Sequence, residues 1–219
     1  FTLEMARKGA IIDAHDISSE AIKIAKKYYL ERKKKEKFKG IISYFVTDLN
    51  FPHFKPNTYD VIVIRNVLHH LMNLKALFKE LKITLKRGGK ILVDDAIPSG
   101  KKEALISGIL LFALPTDIPY GEKFKRVFKK GQILKRTQGL IDACGSSPFE
   151  GISGDKSIYY LKKTFEIKKF IPFASFIGTV SSHLKIMDFL KYPLLITLNL
   201  FDILLTRIGI LSGTGYYLV

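Results

Sequence analysis

Residues 46–71, VTDLNFPHFKPNTYDVIVIRNVLHHL, contain the pattern that decides the fold of this 219-residue chain. The run YDVIVI at 59–64 is almost continuously apolar, as expected for a parallel strand that is covered on both faces. A polar segment precedes this run, and RNVLHH follows it. The stretch therefore predicts a buried strand whose carboxyl end leads into a turn with polar side chains.

Further strands are predicted on both sides of this one. The apolar runs AIIDA, IISYFV, KILVDD and FEIKKFI predict strands at residues 10–14, 41–46, 90–95 and 165–171, and a last strand is predicted at 215–219. Helical patterns alternate with the first strands. This alternation predicts an α/β fold: a doubly wound, mostly parallel, Rossmann-like sheet with helices on both faces.

Two helices can be bounded from local signals. Ser18 is a helix-capping residue type, so a helix is predicted to begin there. Residues 73–86 carry an apolar stripe at helical spacing, and the pair Gly88-Gly89 is predicted to end that helix. We expect one domain over 1–219, with helical insertions at 97–164 and 172–212.

The composition narrows the functional classes. An apolar fraction of 47% excludes global disorder, and the single cysteine, Cys144, excludes an internal disulfide and indicates a reducing, cytoplasmic compartment. The formal charge of +16 suits nucleic acid, an anionic membrane surface or a polyanionic substrate. Much of that charge lies at 26–40, where a solvated helix face is the simpler interpretation.

Polar residues fall at the carboxyl ends of several predicted strands, where parallel sheets bind their ligands. They are Asp16, Asp48, Arg65-Asn66 and Asp94-Asp95. Two of them also have structural interpretations, because Asp16 can cap the following helix and Asp48 can form an ordinary turn. The coincidence of all of them at strand ends predicts a ligand site there.

Four stretches in this order, GAIIDAHDIS, VTDLNFPHFKPNTYDVIVIRNVLHHL, LKRGG and KILVDD, resemble the class I S-adenosylmethionine-dependent methyltransferases. The branch is that of quinone biosynthesis and related small-molecule or lipid methyltransferases, and the similarity runs from Phe1 to about Asp95. The resemblance implies S-adenosylmethionine as cofactor. It also implies these contacts: Asp16 with the ribose hydroxyls, Ile17 with the adenine face, Asp48 with the adenine amine, Leu49 with the ring, and Asn66 and Val67 with the sulfonium and methyl group.

The pair His69-His70 supplies the candidate catalytic side chains. Adjacent helical positions point about 100° apart, so at most one imidazole is expected to face the ligand. Either histidine can serve as a general base for a hydroxyl or acidic carbon, and a positioning role is an equal alternative. The other histidines show no ligand spacing, so no metal site is predicted.

Methyl transfer would proceed by in-line displacement, in which the protein supplies proximity, alignment and desolvation. We expect a small-molecule acceptor that is hydrophobic or lipid-linked. An RNA methyltransferase is the alternative that the charge suggests, although no RNA-binding module is present. A non-catalytic subunit with the methyltransferase fold is the third alternative.

The apolar segment 172–212 is predicted to form two short amphipathic helices that separate near Pro193. Charged residues interrupt it, so a transmembrane helix is not predicted. A hydrophobic lid, a dimer interface, extra core packing and a membrane-interface element all fit the pattern, and the oligomeric state stays open. The excess of lysine favours peripheral contact through 176–212, at the inner face of the membrane.

The start of the chain raises a separate expectation. The methyltransferase resemblance places a strand and a Gly-rich turn immediately before a helix like the one that begins at Phe1. We therefore expect the chain to be a fragment that binds S-adenosylmethionine poorly or not at all.

Overall fold

The computed structural model describes residues 1–97, 100–128 and 154–219. They form two compact units, Phe1–Phe54 and Lys55–Val219. The first unit contains α1 (Thr2–Arg7), β1 (Ile11–Asp16), α2 (Ser19–Lys33) and β2 (Ile41–Val46). The second contains β3 (Tyr59–Arg65), a 3-10 turn (Leu68–His70), α3 (Leu74–Thr84), β4 (Leu85–Ala96), α4 (Lys101–Ala113), α5 (Tyr120–Phe128), α6 (Gly154–Thr164), β5 (Phe170–Phe173), α7 (Ile177–His183), α8 (Asp188–Arg207) and β6 (Gly215–Leu218).

The first unit is built on a parallel pair of strands. β1 and β2 pair in register from Ile11 opposite Ile41 to Asp16 opposite Val46. The Ser18 hydroxyl accepts a hydrogen bond from the Ala21 N–H at 3.1 Å, which fixes the start of α2. The predicted strands and the predicted helix start are confirmed. A small core of buried residues holds the unit together, and its members are Ala6, Tyr29 and Ile42.

The second unit contains a mixed four-stranded sheet in the order β3-β4-β6-β5. β3 and β4 are parallel, whereas β6 runs antiparallel to both β4 and β5. The buried face of α3, with Leu74, Leu77, Phe78 and Leu81, supplies much of the core. The predicted α/β class with parallel strands is confirmed.

The predicted end of the helix at 73–86 is wrong. α3 ends at Thr84, and Leu85 already pairs with Tyr59 across the β3–β4 ladder. The glycine pair instead lies inside β4, where Gly88 has φ +79° and the register shifts between the pairs of Tyr59 and Val61. The helix ends at Thr84 because the backbone of Leu85 pairs with Tyr59 of β3 and so cannot also continue the helix.

The predicted strand at 165–171 is also displaced. β5 covers Phe170–Phe173, so only its first two residues fall in the predicted range. The N–H groups of Lys168 and Lys169 both donate to the carbonyl of Val219, at 2.8 and 3.1 Å. The Val219 N–H also donates to the Lys169 carbonyl at 3.0 Å, so the antiparallel backbone pairing continues one residue beyond the Phe170–Leu218 pair.

The prediction of two short helices separated near Pro193 is wrong as well. α7 is short, but α8 runs for 20 residues with Pro193 inside it. A proline this close to a helix start removes few internal hydrogen bonds. The charges of α8 lie mainly near its ends, and α8 is the one helix of the described residues that is long and apolar enough to cross a membrane by length and composition alone.

The predicted helical region at 97–164 is described in part. α4, α5 and α6 are helices, as expected for this region. The lone cysteine, Cys144, and the turn-rich sequence before α6 lie outside the described residues. The assignment of this region to acceptor binding stays a prediction.

Candidate functional site

Two of the predicted carboxylates are brought to one edge of the first unit. Asp16 is the last residue of β1, and Asp48 follows the last residue of β2 by two positions. The Thr47 N–H donates to the Asp16 carbonyl at 2.9 Å, which carries the parallel register one residue past the strands. Both aspartates therefore lie at the carboxyl edge of the β1–β2 pair, where the sequence predicted them.

Asp16 shapes the turn into α2 without being its cap. Its Oδ1 accepts from the Ser18 N–H at 2.8 Å, while the capping bond belongs to the Ser18 hydroxyl. The side chain of Asp16 is exposed, and the neighbouring Ile17 is 66% exposed. A carboxylate beside an exposed branched apolar side chain suits a ligand with hydroxyl donors and a flat apolar face.

Asp48 is engaged in its own turn. Its Oδ1 accepts from the backbone N–H of Asn50 at 2.9 Å and from the Asn50 side-chain amide at 3.0 Å. The next residue, Leu49, is half-buried. The turn-forming interpretation of Asp48 is thus confirmed for one carboxylate oxygen, and the contact with adenine stays a prediction.

His15 completes the polar edge of the first unit. Its Nδ1 lies 2.9 Å from the Thr47 hydroxyl, and its ring stacks on Phe45 with centroids 5.1 Å apart. Its Nε2 is buried, with no hydrogen-bond partner among the described residues. Burial lowers the pKa of His15, and the charge of Asp13 opposes that shift only in part. The imidazole is therefore neutral at neutral pH.

The second unit presents its own set of predicted residues after β3. Asn66 adopts φ +48°, in the left-handed region, and its N–H donates to the Asp94 carbonyl at 2.8 Å. Arg65 pairs through Nε with the Asp94 carboxylate at 3.0 Å. Asn66 is exposed and Val67 is half-buried. The chain thus turns sharply here and leads directly into the 3-10 turn with the histidines.

The second unit contains a buried carboxylate–imidazole pair. Asp95 is 1% exposed; its Oδ2 accepts from the Leu68 N–H at 2.6 Å and its Oδ1 from the Ala96 N–H at 2.7 Å. The same Oδ1 lies against Nδ1 of His69, which is also buried. Because a carboxylate only accepts, this contact places the imidazole proton on Nδ1. In that tautomer Nε2 carries the lone pair that can accept a proton.

A buried tyrosine lies beside this pair. Tyr216 of β6 is opposite Asp95 in the β4–β6 ladder, and its hydroxyl is 3.2 Å from the Ser157 hydroxyl. Burial raises the pKa of Tyr216 to about 12, against the opposing effect of the Ser157 hydrogen bond and with a further contribution from the charge of Asp95. Tyr216 is therefore a protonated hydroxyl at neutral pH, and no negative charge is added next to Asp95.

The two adjacent histidines do not point apart as expected. They lie in a 3-10 turn, and their ring centroids are 3.9 Å apart with a tilt of 47°. His69 is buried and His70 is half-buried. The expected divergence of the two side chains is wrong because the rings lie against each other, and the expectation that at most one of them faces a ligand stays a prediction.

The pair Asp94-Asp95 was predictable as a strand end, but the role of Asp95 was not. The alternation of residues along the strand indicated that Asp95 is buried, since alternate residues lie on one face and Ile91, Val93 and Asp95 are all buried. A carboxylate on the buried face of a strand requires a partner nearby. That partner, His69, is 26 positions earlier in the chain, and no local pattern connects the two.

The predicted site residues thus fall into two groups. Asp16, Ile17, Asp48 and Leu49 belong to the first unit, whereas Asn66, Val67, His69 and His70 belong to the second. Within residues 1–97, 100–128 and 154–219, no group of three histidine, cysteine or acidic side chains is arranged to hold a metal ion. The assigned contacts with a cofactor stay predictions.

Comparison with known proteins finds a methyltransferase-like sequence in the N-terminal part of the chain. Residues 1–93 match the family model of a methyltransferase domain. Over 85 residues, 39% of this chain and 18% of the relative, the sequence is 32% identical to phosphoethanolamine N-methyltransferase 2 of Caenorhabditis elegans. The chain spans less than a fifth of the length of the curated relatives it matches.

Solved structures agree with the fold. The crystal structure of the [4+2]-cyclase SpnF has a TM-score of 0.53 and 14% identity, over 99% of this chain and 68% of that one. Geranyl diphosphate C-methyltransferase from Streptomyces coelicolor A3(2), solved with Mg²⁺, geranyl diphosphate and S-adenosyl-L-homocysteine, has a TM-score of 0.51 and 9% identity, over 99% and 66%. One of these two proteins is named a cyclase, so the shared fold fixes no reaction.

Proposed function

We propose that this chain, whose residues 1–93 match a methyltransferase domain, is a class I S-adenosylmethionine-dependent methyltransferase that methylates a small-molecule acceptor, hydrophobic or lipid-linked. The observation that carries the proposal is the pair of carboxylates, Asp16 and Asp48, at one carboxyl edge of the β1–β2 pair. Both lie inside the matched region. Two carboxylates at such an edge are suited to the hydroxyl and amine donors of a nucleoside.

The side chains of the first unit fit the nucleoside part of S-adenosylmethionine. Asp16 is exposed, and its turn bond to Ser18 occupies only Oδ1, so Oδ2 is the oxygen we assign to the ribose hydroxyls. The exposed Ile17 offers an apolar surface to adenine, and Asp48 with Leu49 would meet its amine and ring. In the second unit, we assign Asn66 and Val67 to the methyl-bearing end of the cofactor.

His69 is the group that we propose as proton acceptor. When bound, the cofactor supplies a methyl group that is activated by a positively charged sulfur. Nε2 of His69 takes the proton that the attacking atom of the acceptor loses. Asp95 holds the Nδ1–H tautomer and stabilises the positive charge that the imidazole then carries. His70, whose ring lies against His69, positions that ring.

Two features support the acceptor class. The curated relative with the matching segment is named for phosphoethanolamine, which makes phosphorylated amines the first small molecules to test. The segment that follows β5 is rich in leucine, isoleucine and phenylalanine, many of them exposed. Such a surface favours an acceptor with an apolar part, so lipid-linked amines and hydroxyls follow in the same screen.

The RNA alternative rests on charge, and the described contacts of α2 weaken it. Arg32 pairs with Glu36 at 2.9 Å and donates to the Tyr28 hydroxyl at 2.7 and 3.0 Å. Glu36 also receives Arg7 through Nε at 2.7 Å. The guanidinium groups of Arg7 and Arg32 are therefore paired within the first unit, as expected for a solvated helix face. Salt-sensitive retention of RNA by the complete protein would support the alternative.

The proposal is tested in the complete protein by two measurements. Calorimetric titration with S-adenosyl-L-homocysteine measures cofactor affinity, and transfer of an isotopically labelled methyl group to the acceptor panel measures the reaction. Asp16→Asn keeps the Oδ1 acceptor for Ser18 and replaces Oδ2 with a donor. We expect it to weaken cofactor affinity by roughly 10- to 100-fold, since hydrogen bonds to a charged group are lost.

His69→Asn separates the chemistry from binding. The asparagine amide can still donate toward Asp95, but it has no basic nitrogen. We expect transfer to slow by roughly 10²- to 10⁴-fold while cofactor affinity is unchanged. The matched control is Asp60→Asn, which neutralises an exposed carboxylate that pairs with Lys86 at 2.9 Å. Absence of cofactor binding by the complete wild-type protein would refute the proposal and favour the non-catalytic alternative.

A further inference from the structure

The outer face of α8 is an apolar stripe that faces solvent along the helix. Its members are Phe189, Tyr192, Ile196, Leu200 and Ile203, and all are exposed. Steps of three and four residues place them on one face. Exposed apolar side chains scattered singly are ordinary, but a continuous stripe of this length marks an interaction surface.

The inner face of α8 is fixed to the second unit. Asp202 is 1% exposed, and its carboxylate accepts from the N–H groups of Ser175, Phe176 and Ile177 at 2.9, 2.8 and 2.7 Å. Leu198 and Leu205 pack against the buried cluster of Phe176, Val180 and Leu211. The helix is therefore docked by one side, and its exposed side chains are available to a partner: those of the outer stripe and also Leu190, Phe201 and Leu204.

This docking excludes a transmembrane orientation of α8. A helix that crossed the bilayer would carry Asp202 into hydrocarbon and leave three N–H groups without their acceptor. Both changes are strongly unfavourable, because nothing in hydrocarbon replaces those bonds. A helix that lies in the plane of the membrane surface keeps them, since it inserts only its outer face.

The charges around α8 select the kind of surface. At its N-terminal end Lys185 is 3.6 Å from Asp117, and the exposed Asp188 adds a further negative charge. At its C-terminal end Arg207 is exposed, and Lys102 is fixed nearby by a 3.3 Å bond from Nζ to the Ile210 carbonyl. Lys191 is also near the N-terminal end, so the charges there balance, whereas Arg207 and Lys102 make the C-terminal end positive beside apolar side chains.

We propose that α8 lies in the plane of an anionic lipid surface, with its outer stripe inserted and Arg207 and Lys102 meeting lipid headgroups. The formal charge of +16 attracts the chain to such a surface and opposes pairing of α8 with a second copy. Tyr192 suits the boundary between lipid headgroups and hydrocarbon, because its ring is apolar and its hydroxyl is polar. The proposal does not depend on methyl transfer, because lipid binding needs no cofactor.

Flotation of the complete protein with vesicles tests the proposal. The vesicles contain phosphatidylcholine alone or with about 30 mol % phosphatidylserine. We expect binding to the anionic vesicles and its weakening at high salt. The double variant Ile196→Ser/Leu200→Ser should bind about 30-fold or more weakly, because two largely exposed side chains lose their transfer from water to lipid. Arg207→Gln should weaken binding to the anionic vesicles by about 5-fold and leave binding to pure phosphatidylcholine unchanged.

The matched control is Ile24→Ser/Phe51→Ser, which removes two side chains of similar exposure from the first unit. All of these positions are exposed, so the variants should keep the wild-type midpoint of urea unfolding. The proposal is overturned if the control loses as much binding as the α8 variant. It is equally overturned if the wild type binds neither vesicle, or if the α8 variant changes a dimer into a monomer with vesicle binding intact, because the stripe then covers a second copy.

Discussion

The buried carboxylate of Asp95 has two roles: it contacts Nδ1 of His69, and it accepts from the Leu68 N–H that begins the 3-10 turn. Asp95→Asn should keep the first contact and lose the second. In the wild type Oδ1 accepts from the Ala96 N–H at 2.7 Å and from His69, and Oδ2 accepts from the Leu68 N–H at 2.6 Å. An asparagine has one oxygen. It is best used where two donors converge, at the Oδ1 position, so the new amide group faces the Leu68 N–H.

The expected loss of stability follows from these contacts. One buried N–H is left facing another donor, and two charge-assisted hydrogen bonds become neutral ones. An unsatisfied buried donor costs about 1–3 kcal/mol, and the weakened bonds bring the total to about 2–5 kcal/mol. Domains of this size are stable by only about 5–15 kcal/mol, so the change is a large fraction of the free energy of unfolding.

Urea unfolding followed by far-ultraviolet circular dichroism measures this loss, with Asp94→Asn as the matched control. Asp94 is the adjacent residue on the other face of β4, its side chain is 25% exposed, and it pairs with Arg65 at 3.0 Å. A surface pair of this kind contributes about 0–1 kcal/mol. The Asp95 variant should therefore unfold at much lower urea than the Asp94 variant. Equal midpoints for the two variants would refute the assignment of Asp95 as the acceptor that holds the 3-10 turn.

Two further perturbations test the description of each unit. Asp202→Ala leaves three buried N–H groups without an acceptor, so the free energy of unfolding should fall by about 3 kcal/mol or more, whereas the exposed Asn199→Ala should change it little. Burial lowers the pKa of His15, so the unfolded chain takes up the proton first as pH falls. The first unit should therefore keep its stability above the ordinary histidine pKa of about 6.5 and lose stability below it, while His15→Gln should flatten that dependence in urea unfolding measured across this range. An unchanged pH dependence in the His15 variant would contradict this reasoning.

The parts of the fold that the sequence predicted correctly are those that local physics decides. β1, β2 and β3 are short, largely apolar runs, and the start of α2 is set by the Ser18 side chain three residues from its partner. Such signals need no knowledge of distant residues. The carboxyl edge with Asp16 and Asp48 was predictable for the same reason, since parallel strands end at a common edge.

The parts that the sequence predicted wrongly are decided by pairing across long separations. The helical pattern at 73–86 extends past Thr84, yet Leu85 pairs with Tyr59, and that pairing ends the helix. The predicted separation near Pro193 was wrong because α8 continues through that proline, and the inward position of Asp202 cannot be read from the sequence without its partners 25 to 27 residues earlier.

Buried carboxylates explain most of what sequence reasoning missed in the second unit. Asp95, Glu103 and Asp202 are each nearly inaccessible to solvent, and each accepts from backbone N–H groups: Glu103 accepts from Ser212 at 2.5 Å. In composition these residues count as ordinary surface acids. In the structure they fix the turn with His69, the loop before β6 and the inner face of α8. The same type of contact positions the proposed base and docks the proposed membrane helix. The free energy of unfolding of any Asp95 or Asp202 variant therefore has to be measured before a change in its activity or lipid binding is interpreted.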